Sequence, residues 1–337
     1  MKARSDFEMY DVCVIGAGPC GLAVSVELQK RQIDHVVLEK SCIASTIYRF
    51  PTQMIFNSTP ERLEIADIPF YTQGGKPTRQ EALNYYRTVV ARLKLPIRQY
   101  ETVEQVAWDD GQMAFSIQSR TLAGQMIQTF ARQVVIATGY FDHPNALGVP
   151  GEELPHVQHY YRDAHPYYGQ RVVIVGGTNS AAEAAIDLYR VGAEVTLIHR
   201  GAALSDKIKP WVRPEIQSLI DHERIAFHFR SRVKAILPDR VQVATPEGDI
   251  EIAADHVLAL IGYHPDTPFL SELGVEIDAE SGIPTHHPET YETNVAGIFI
   301  AGVVVSGYDA NRIFIENGRL HAPAIAQAIR DRLGSRI

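Results

Sequence analysis

Two stretches in which an apolar strand runs into a glycine turn and on into a helix lie about 160 residues apart in a chain of 337. They predict an α/β fold of two Rossmann-like dinucleotide-binding domains, the second inserted into the first. The composition agrees, since 45% apolar residues suffice for two sizeable cores. A net charge of −8 leaves no basic stripe for a phosphate backbone, which argues against nucleic acid as a partner. The longest apolar runs, such as Val134-Val135-Ile136-Ala137, are strand-length and well short of the ~20 residues of a membrane span. The start, Met1 to Asp6, is polar and lacks the apolar core of a signal peptide, so a cytoplasmic protein is expected. Three cysteines, Cys13, Cys20 and Cys42, are too few for a disulfide scaffold and form no CxxC pair.

The first unit opens with the strand Tyr10 to Ile15. Gly16 then makes the tight turn, Gly18 lets backbone approach a pyrophosphate, and Gly21 lets the following helix pack closely. Pro19 and Cys20 open that helix, whose N-terminal amides suit the phosphates. Val36-Val37-Leu38 ends in Glu39, placed to hydrogen-bond an adenosine ribose, with Lys40 beside it. Thr78 and Glu81 form a capping box, and Leu83, Tyr86, Val90 and Leu93 follow at helical spacing. Phe115 to Ile117 and Gln128 to Phe130 read as a hairpin. Val134 to Ala137 reads as a buried strand ending at Thr138-Gly139. The breaker-rich stretch from Asp142 to Gly151 links to the second domain.

The second unit, Arg171 to Ala181, has Gly176 at the turn, Thr178 where the middle glycine is usual and Ala181 at the third position. Asn179 and Ser180 open its alanine-rich helix. Its second strand, Glu194 to Ile198, ends in His199-Arg200 where the first unit ends in an acid. A cation there suits a ribose 2′-phosphate and favours NADPH over NADH; the alternative is a solvated basic strand end. Lys207, Lys209 and Arg213 have the same two readings, as phosphate or substrate contacts or as a solvated face. Gly262 to Asp266 mark the return. Residues 266–337 carry a strand, Gly297 to Ile300, the turn Ala301-Gly302-Val303, and a terminal helix starting near Ile313-Phe314-Ile315 and closed by Gly334. These elements complete the first domain, giving 1–145 with 266–337 and an inserted 146–265.

The two loops, the Ala137-Thr138-Gly139 turn and the late Ala301-Gly302 turn resemble the flavoprotein reductases related to low-molecular-weight thioredoxin reductase. A closer resemblance is to the bacillithiol disulfide reductases of the YpdA type. It is carried by Gly16 to Gly21, Ser58-Thr59-Pro60-Glu61, Lys76-Pro77-Thr78-Arg79, Ile208-Lys209-Pro210-Trp211-Val212, Ala301-Gly302-Val303 and Ile313 to Arg319, spread from end to end. The resemblance implies FAD at the first loop, with Glu39, Lys40, Thr138, Gly139, Gly302, Val303, Phe314 and Ile315 near it. It implies NADPH at the second, with Gly176, Thr178, Asn179, Ser180, Ala181, His199 and Arg200. It also implies a small-molecule disulfide as substrate and a homodimer. The redox CxxC of thioredoxin reductases falls on His159-Tyr160-Tyr161-Arg162, and the wider family's flavin-binding Gly-Asp is Gly302-Val303; the YpdA-type proteins share both departures.

Cys20 therefore has two readings. At the first turn of a helix the macrodipole and free amides favour a thiolate that attacks a disulfide sulfur; alternatively it is a small apolar filler. Cys13 in a central strand reads as core, and Cys42 lies too far from the flavin. His286, His287 and His321 have no metal-ligand spacing, so no metal is expected. Three rival functions remain. Ferredoxin-NADP reductases also lack CxxC but extend beyond the last helix with an aromatic ring, and no aromatic residue follows Phe314 here. Flavin monooxygenases share Ala137 to Tyr140 but not the fingerprint near Val157 to His159. A non-catalytic flavin and NADPH redox sensor would need a partner surface that no charged tail supplies.

Overall fold

The computed structural model describes residues 8–309 and 312–334 and places them in two compact units; Met1 to Asp6 lie outside the described residues. One unit runs to His143 and resumes at Tyr263, and the other spans Pro144–Gly262.

In the first unit the strand Glu8–Ile15 lies between the parallel strands His35–Glu39 and Met126–Ile136. Val12, Val14, Val37, Val134 and Val135 are fully buried, the near-continuous apolar run that a sheet covered on both faces requires. The hairpin half and the buried strand read separately in the sequence are one strand, Met126–Ile136. Its first half pairs antiparallel with Ala114–Thr121, and its end pairs parallel with Ile298–Ile300. This continuity brings the Thr138-Gly139 turn and the Ala301-Gly302 turn to the same sheet edge as Gly16.

The helices Pro19–Lys30, Arg79–Leu93 and His321–Gly334 share one core with Val12, Val14 and Val135. The capping box at Thr78 and Glu81 forms as expected. The buried face of Arg79–Leu93 is rotated from the expected one: Ala82, Tyr85, Tyr86 and Val89 are buried, while Leu83, Val90 and Leu93 are half-buried. The tyrosines bury their rings because their hydroxyls find backbone oxygens, Tyr85 on Ile65 and Ile68 and Tyr86 on Leu63. The terminal helix is also revised. A four-residue helix, Ile315–Gly318, precedes a separate helix, His321–Gly334, of which Gly334 is the last residue.

The second unit holds a five-stranded parallel sheet in the order Ala226–His228, Glu194–Ile198, Arg171–Val175, His256–Ala259, Val157–Gln158. The helix Asn179–Arg190 buries Ala181, Ala182, Ala184 and Ala185, small side chains that let it lie close to the sheet. A three-stranded antiparallel sheet, Arg232–Leu237, Arg240–Thr245 and Gly248–Ala253, adds a layer absent from the sequence reading.

Candidate functional site

The first glycine turn is built by close approach. Gly16 adopts φ +108°, and a Cβ there would lie 2.5 Å from the Ala137 carbonyl oxygen. A Cβ on Gly21 would run into the Gly16 carbonyl oxygen and sit 3.2 Å from the Ala137 methyl. Gly18 differs: nothing lies within 4 Å of its Cβ position. It is also the N-cap of Pro19–Lys30, with no side-chain cap bond, so the first helical amides stay available. Gly139, at φ +73°, is likewise open. An open glycine, uncapped amides and a buried acid at the next strand end fit the pyrophosphate and ribose of a dinucleotide.

That acid is Glu39. One oxygen accepts the Ala17 N–H at 2.8 Å and the other the Ser41 N–H at 2.9 Å. Burial raises its pKa, and these two amides oppose the rise. Lys40, expected beside the cofactor, lies 2.8 Å from Asp142, which also binds Arg49. The pair ties the end of His35–Glu39 to the chain that follows the Thr138-Gly139 turn. Asp142 thus matters to the site and escaped sequence reading, because a lone acid in a loop announces no partner.

At Cys20 the surroundings favour the filler reading of the two. The residue as a whole is half-buried, but its sulfur is enclosed: a Cβ on either Gly302 or Gly318 would come within 2.9 Å of Cys20 Sγ. Burial pushes the thiol up to about 12, opposite to the lowering that a helix N-terminus alone would produce. Cys13 is fully buried and also pushed up to about 12, mainly by burial.

Gly302 takes φ +76° and donates its N–H to His321 Nδ1 at 3.3 Å. Val303 lies half-buried in the short turn that follows. His321 stacks on Tyr291 with ring centroids 4.2 Å apart, and burial with nearby His286 lowers its pKa to about 4. The ring is therefore neutral and accepts through Nδ1. No spacing in the sequence marks this residue. Phe314 is exposed, and its N–H donates to Asn317 Oδ1 at 2.8 Å. Phe314 is the N-cap of Ile315–Gly318, and its own N–H is taken by the Asn317 side chain. Ser58 bonds Glu316, and Arg319 Nε donates to the Arg62 carbonyl at 2.8 Å. Two motif segments far apart in sequence therefore dock on each other.

At the second turn, Gly176 takes φ +155°, and a Cβ there would lie 2.6 Å from the Leu260 carbonyl oxygen. Thr178 is the N-cap, exposed and without a side-chain cap bond; Ser180 is exposed and Ala181 buried against the turn. Asn179 Oδ1 accepts the Lys209 N–H at 3.3 Å. The helix start remains open, as an anion site needs. The expected His199-Arg200 cation pair reduces to Arg200. The His199 ring fills the space that side chains on Gly177 and Gly201 would occupy, and its pKa is lowered by burial and by Arg200. Lys209 lies 3.6 Å from Glu183, and Arg213 bonds Asp206 and the Ser205 carbonyl, both at 2.9 Å. Lys209 is thus paired with the helix Asn179–Arg190, and Arg213 is held within its own loop.

Residues 13–302 match the family described as pyridine nucleotide-disulphide oxidoreductase. The chain is 44% identical to bacilliredoxin reductase Bdr of Bacillus subtilis (strain 168), over 95% of this chain and 97% of the relative. Among solved structures it matches the bacillithiol disulfide reductase Bdr (YpdA) of Bacillus cereus with a TM-score of 0.94 and 44% identity, covering 96% of this chain and all of the other. The Staphylococcus aureus structure of the same name matches at 0.90 and 39% identity, covering 96% and 99%. A thioredoxin reductase of T. acidophilum shares the fold at a TM-score of 0.74.

Proposed function

The chain belongs to the pyridine nucleotide-disulphide oxidoreductases, and we propose that within them it is an NADPH-dependent FAD enzyme that reduces bacillithiol disulfide or a closely similar low-molecular-weight thiol disulfide. The observation that carries this reading is end-to-end similarity to proteins named for that reaction. The residues expected to be a dithiol in a thioredoxin reductase are His159 to Arg162, which carry no sulfur. The cofactors supply hydride and two-electron chemistry when bound.

The chain's part is to bind and orient. In the first unit Gly16, Gly18 and Gly21 shape the cradle for FAD, the amides after Gly18 face its phosphates, and Glu39 holds an acceptor at the strand end. In the second unit Gly176, Thr178 and the start of Asn179–Arg190 receive the NADPH phosphates, with Arg200 beside the ribose. His321, through the Gly302 N–H, sets the conformation of the Gly302-Val303 turn. Cys20 packs that turn against Gly318 as a neutral thiol; a role as nucleophile would require it to ionise against its burial. The working form is proposed to be a cytoplasmic homodimer, as the resemblance implies.

The test is anaerobic. The flavin of the purified protein is bleached with NADPH, and recovery of its colour is followed on adding bacillithiol disulfide, oxidised bacilliredoxin, or oxidised ferredoxin. Fast recovery with the small disulfide is expected. Recovery only with bacilliredoxin would move the acceptor to a protein, the second reading that the name of the B. subtilis relative favours. Recovery only with ferredoxin would refute the disulfide reading.

A further inference from the structure

In the second unit the strand Ala226–His228 runs parallel to Glu194–Ile198, with His228 opposite Ile198. The chain leaving each strand therefore emerges at the same carboxyl edge, where open parallel sheets take their ligands. Backbone hydrogen bonds knit the two exits together. His199 N–H donates to the His228 carbonyl at 2.9 Å, Ser231 N–H to the His199 carbonyl at 3.1 Å, and Arg230 N–H to the Gly201 carbonyl at 2.8 Å. Arg230 is thereby fixed beside Arg200 and Gly201, in a left-handed conformation with φ +49°. Such a conformation persists in a non-glycine residue only where its surroundings over-determine it.

The side chains at this edge fall into two groups. Lys209 and Arg213 are held by Glu183 and Asp206, and His199 is wedged and neutral. Arg200 and Arg230 are exposed, and neither makes an ion pair among the described residues. Arg230 also lines an open cavity of about 380 Å³ with Ala202, His228 and Glu247, whose carboxylate leaves Arg230, among the described residues, as the only group there that attracts an anion through a fixed charge. Gly201 adds no side chain of its own beside them.

We propose that Arg230 is a specificity-determining residue of the pyridine-nucleotide site, a second guanidinium that joins Arg200 in receiving the 2′-phosphate that distinguishes NADPH from NADH. The proposal rests on the reading of the second unit as the NADPH domain. Two planar forks can hold a dianionic phosphate through several charge-assisted hydrogen bonds, which one lysine-like point charge cannot.

The test titrates the flavin-loaded full chain with 2′,5′-ADP and with 5′-AMP by calorimetry. Arg230→Asn removes the charge and tolerates the left-handed backbone; Arg230→Lys keeps the charge without the fork. Arg230→Asn is expected to weaken 2′,5′-ADP binding about tenfold to a hundredfold, the range for one charge-assisted contact, while 5′-AMP binding stays within about twofold. Arg230→Lys should fall between Arg230→Asn and the unchanged protein. Unchanged 2′,5′-ADP binding in Arg230→Asn, or equal loss for both ligands, would overturn the assignment of Arg230 while leaving the NADPH reading intact. An unaltered chain that binds the two ligands alike would overturn the NADPH reading itself, and the proposal with it.

Discussion

Substituting alanine at Gly21 and at Gly18 separates close packing from ligand space within one turn. At Gly21 the added Cβ would strike the Gly16 carbonyl oxygen, lie 3.1 Å from its carbon and 3.2 Å from the Ala137 methyl. Carbon pairs rest at about 3.5–4.0 Å, so backbone must retreat by about half an ångström or more, and no side-chain rotation can supply that. Overpacking of this kind costs roughly 1–3 kcal/mol, offset by about 1 kcal/mol from alanine's better helix propensity. A net loss of up to about 2 kcal/mol corresponds to a melting point lower by several degrees, at about 2–4 °C per kcal/mol for a unit of this size. At Gly18, with φ −70° and open space, alanine fits the free protein. Losing glycine at the N-cap and gaining from a stiffer unfolded chain are each below about 1 kcal/mol and opposed. The Gly18→Ala apoprotein should therefore melt within about 2 °C of the unchanged apoprotein yet retain little flavin. Thermal melts of the apoproteins and visible absorbance per chain after gel filtration read both effects. Full flavin in Gly18→Ala, or a Gly21→Ala apoprotein that melts above the unchanged one, would refute the division of labour between the glycines.

Three further outcomes follow from the same geometry. With its thiol pushed up to about 12, Cys20 should resist iodoacetamide at neutral pH. Cys20→Ala should also keep disulfide-dependent NADPH oxidation within about twofold, since fewer than about one thiol in 10⁴ is ionised; a tenfold loss in a folded, flavin-loaded variant would restore the nucleophile reading. His321 titrates near 4 when folded and near its ordinary 6.5 when unfolded. Between those values the unfolded chain binds more protons, so stability falls as pH drops through the window, by up to about 3 kcal/mol. His321→Asn keeps an acceptor for the Gly302 N–H without titrating, and melts between pH 4.5 and 7 should show a flatter slope. In Glu39→Gln one carboxylate oxygen becomes an amide donor facing the Ala17 or Ser41 N–H. Leaving such a group unsatisfied costs about 1–3 kcal/mol, read as a lower melting point and as flavin lost on dilution.

Much of the first unit was legible because its signals are local. The glycine spacing depends on contacts within one turn, the capping box at Thr78 and Glu81 spans four residues, and burial on both faces leaves unbroken apolar runs. Where the reading failed, the deciding contact was distant in sequence. Tyr85 and Tyr86 turned their helix because backbone oxygens at Leu63, Ile65 and Ile68 receive their hydroxyls. Lys40 pairs with Asp142, more than a hundred residues on, a contact that no local spacing announces. The break between Ile315–Gly318 and His321–Gly334 accompanies docking on Ser58 and Arg62 and the burial of His321.

The sequence by itself determined the α/β class, two dinucleotide turns and the absence of a dithiol at His159 to Arg162, since each is written in residue type and short-range spacing. Only the tertiary structure bears on the ionisation of Cys20. A helix N-terminus stabilises a thiolate through a field that any sequence pattern reveals. Enclosure by Gly302 and Gly318 removes the water that a thiolate needs, and that loss outweighs the dipole.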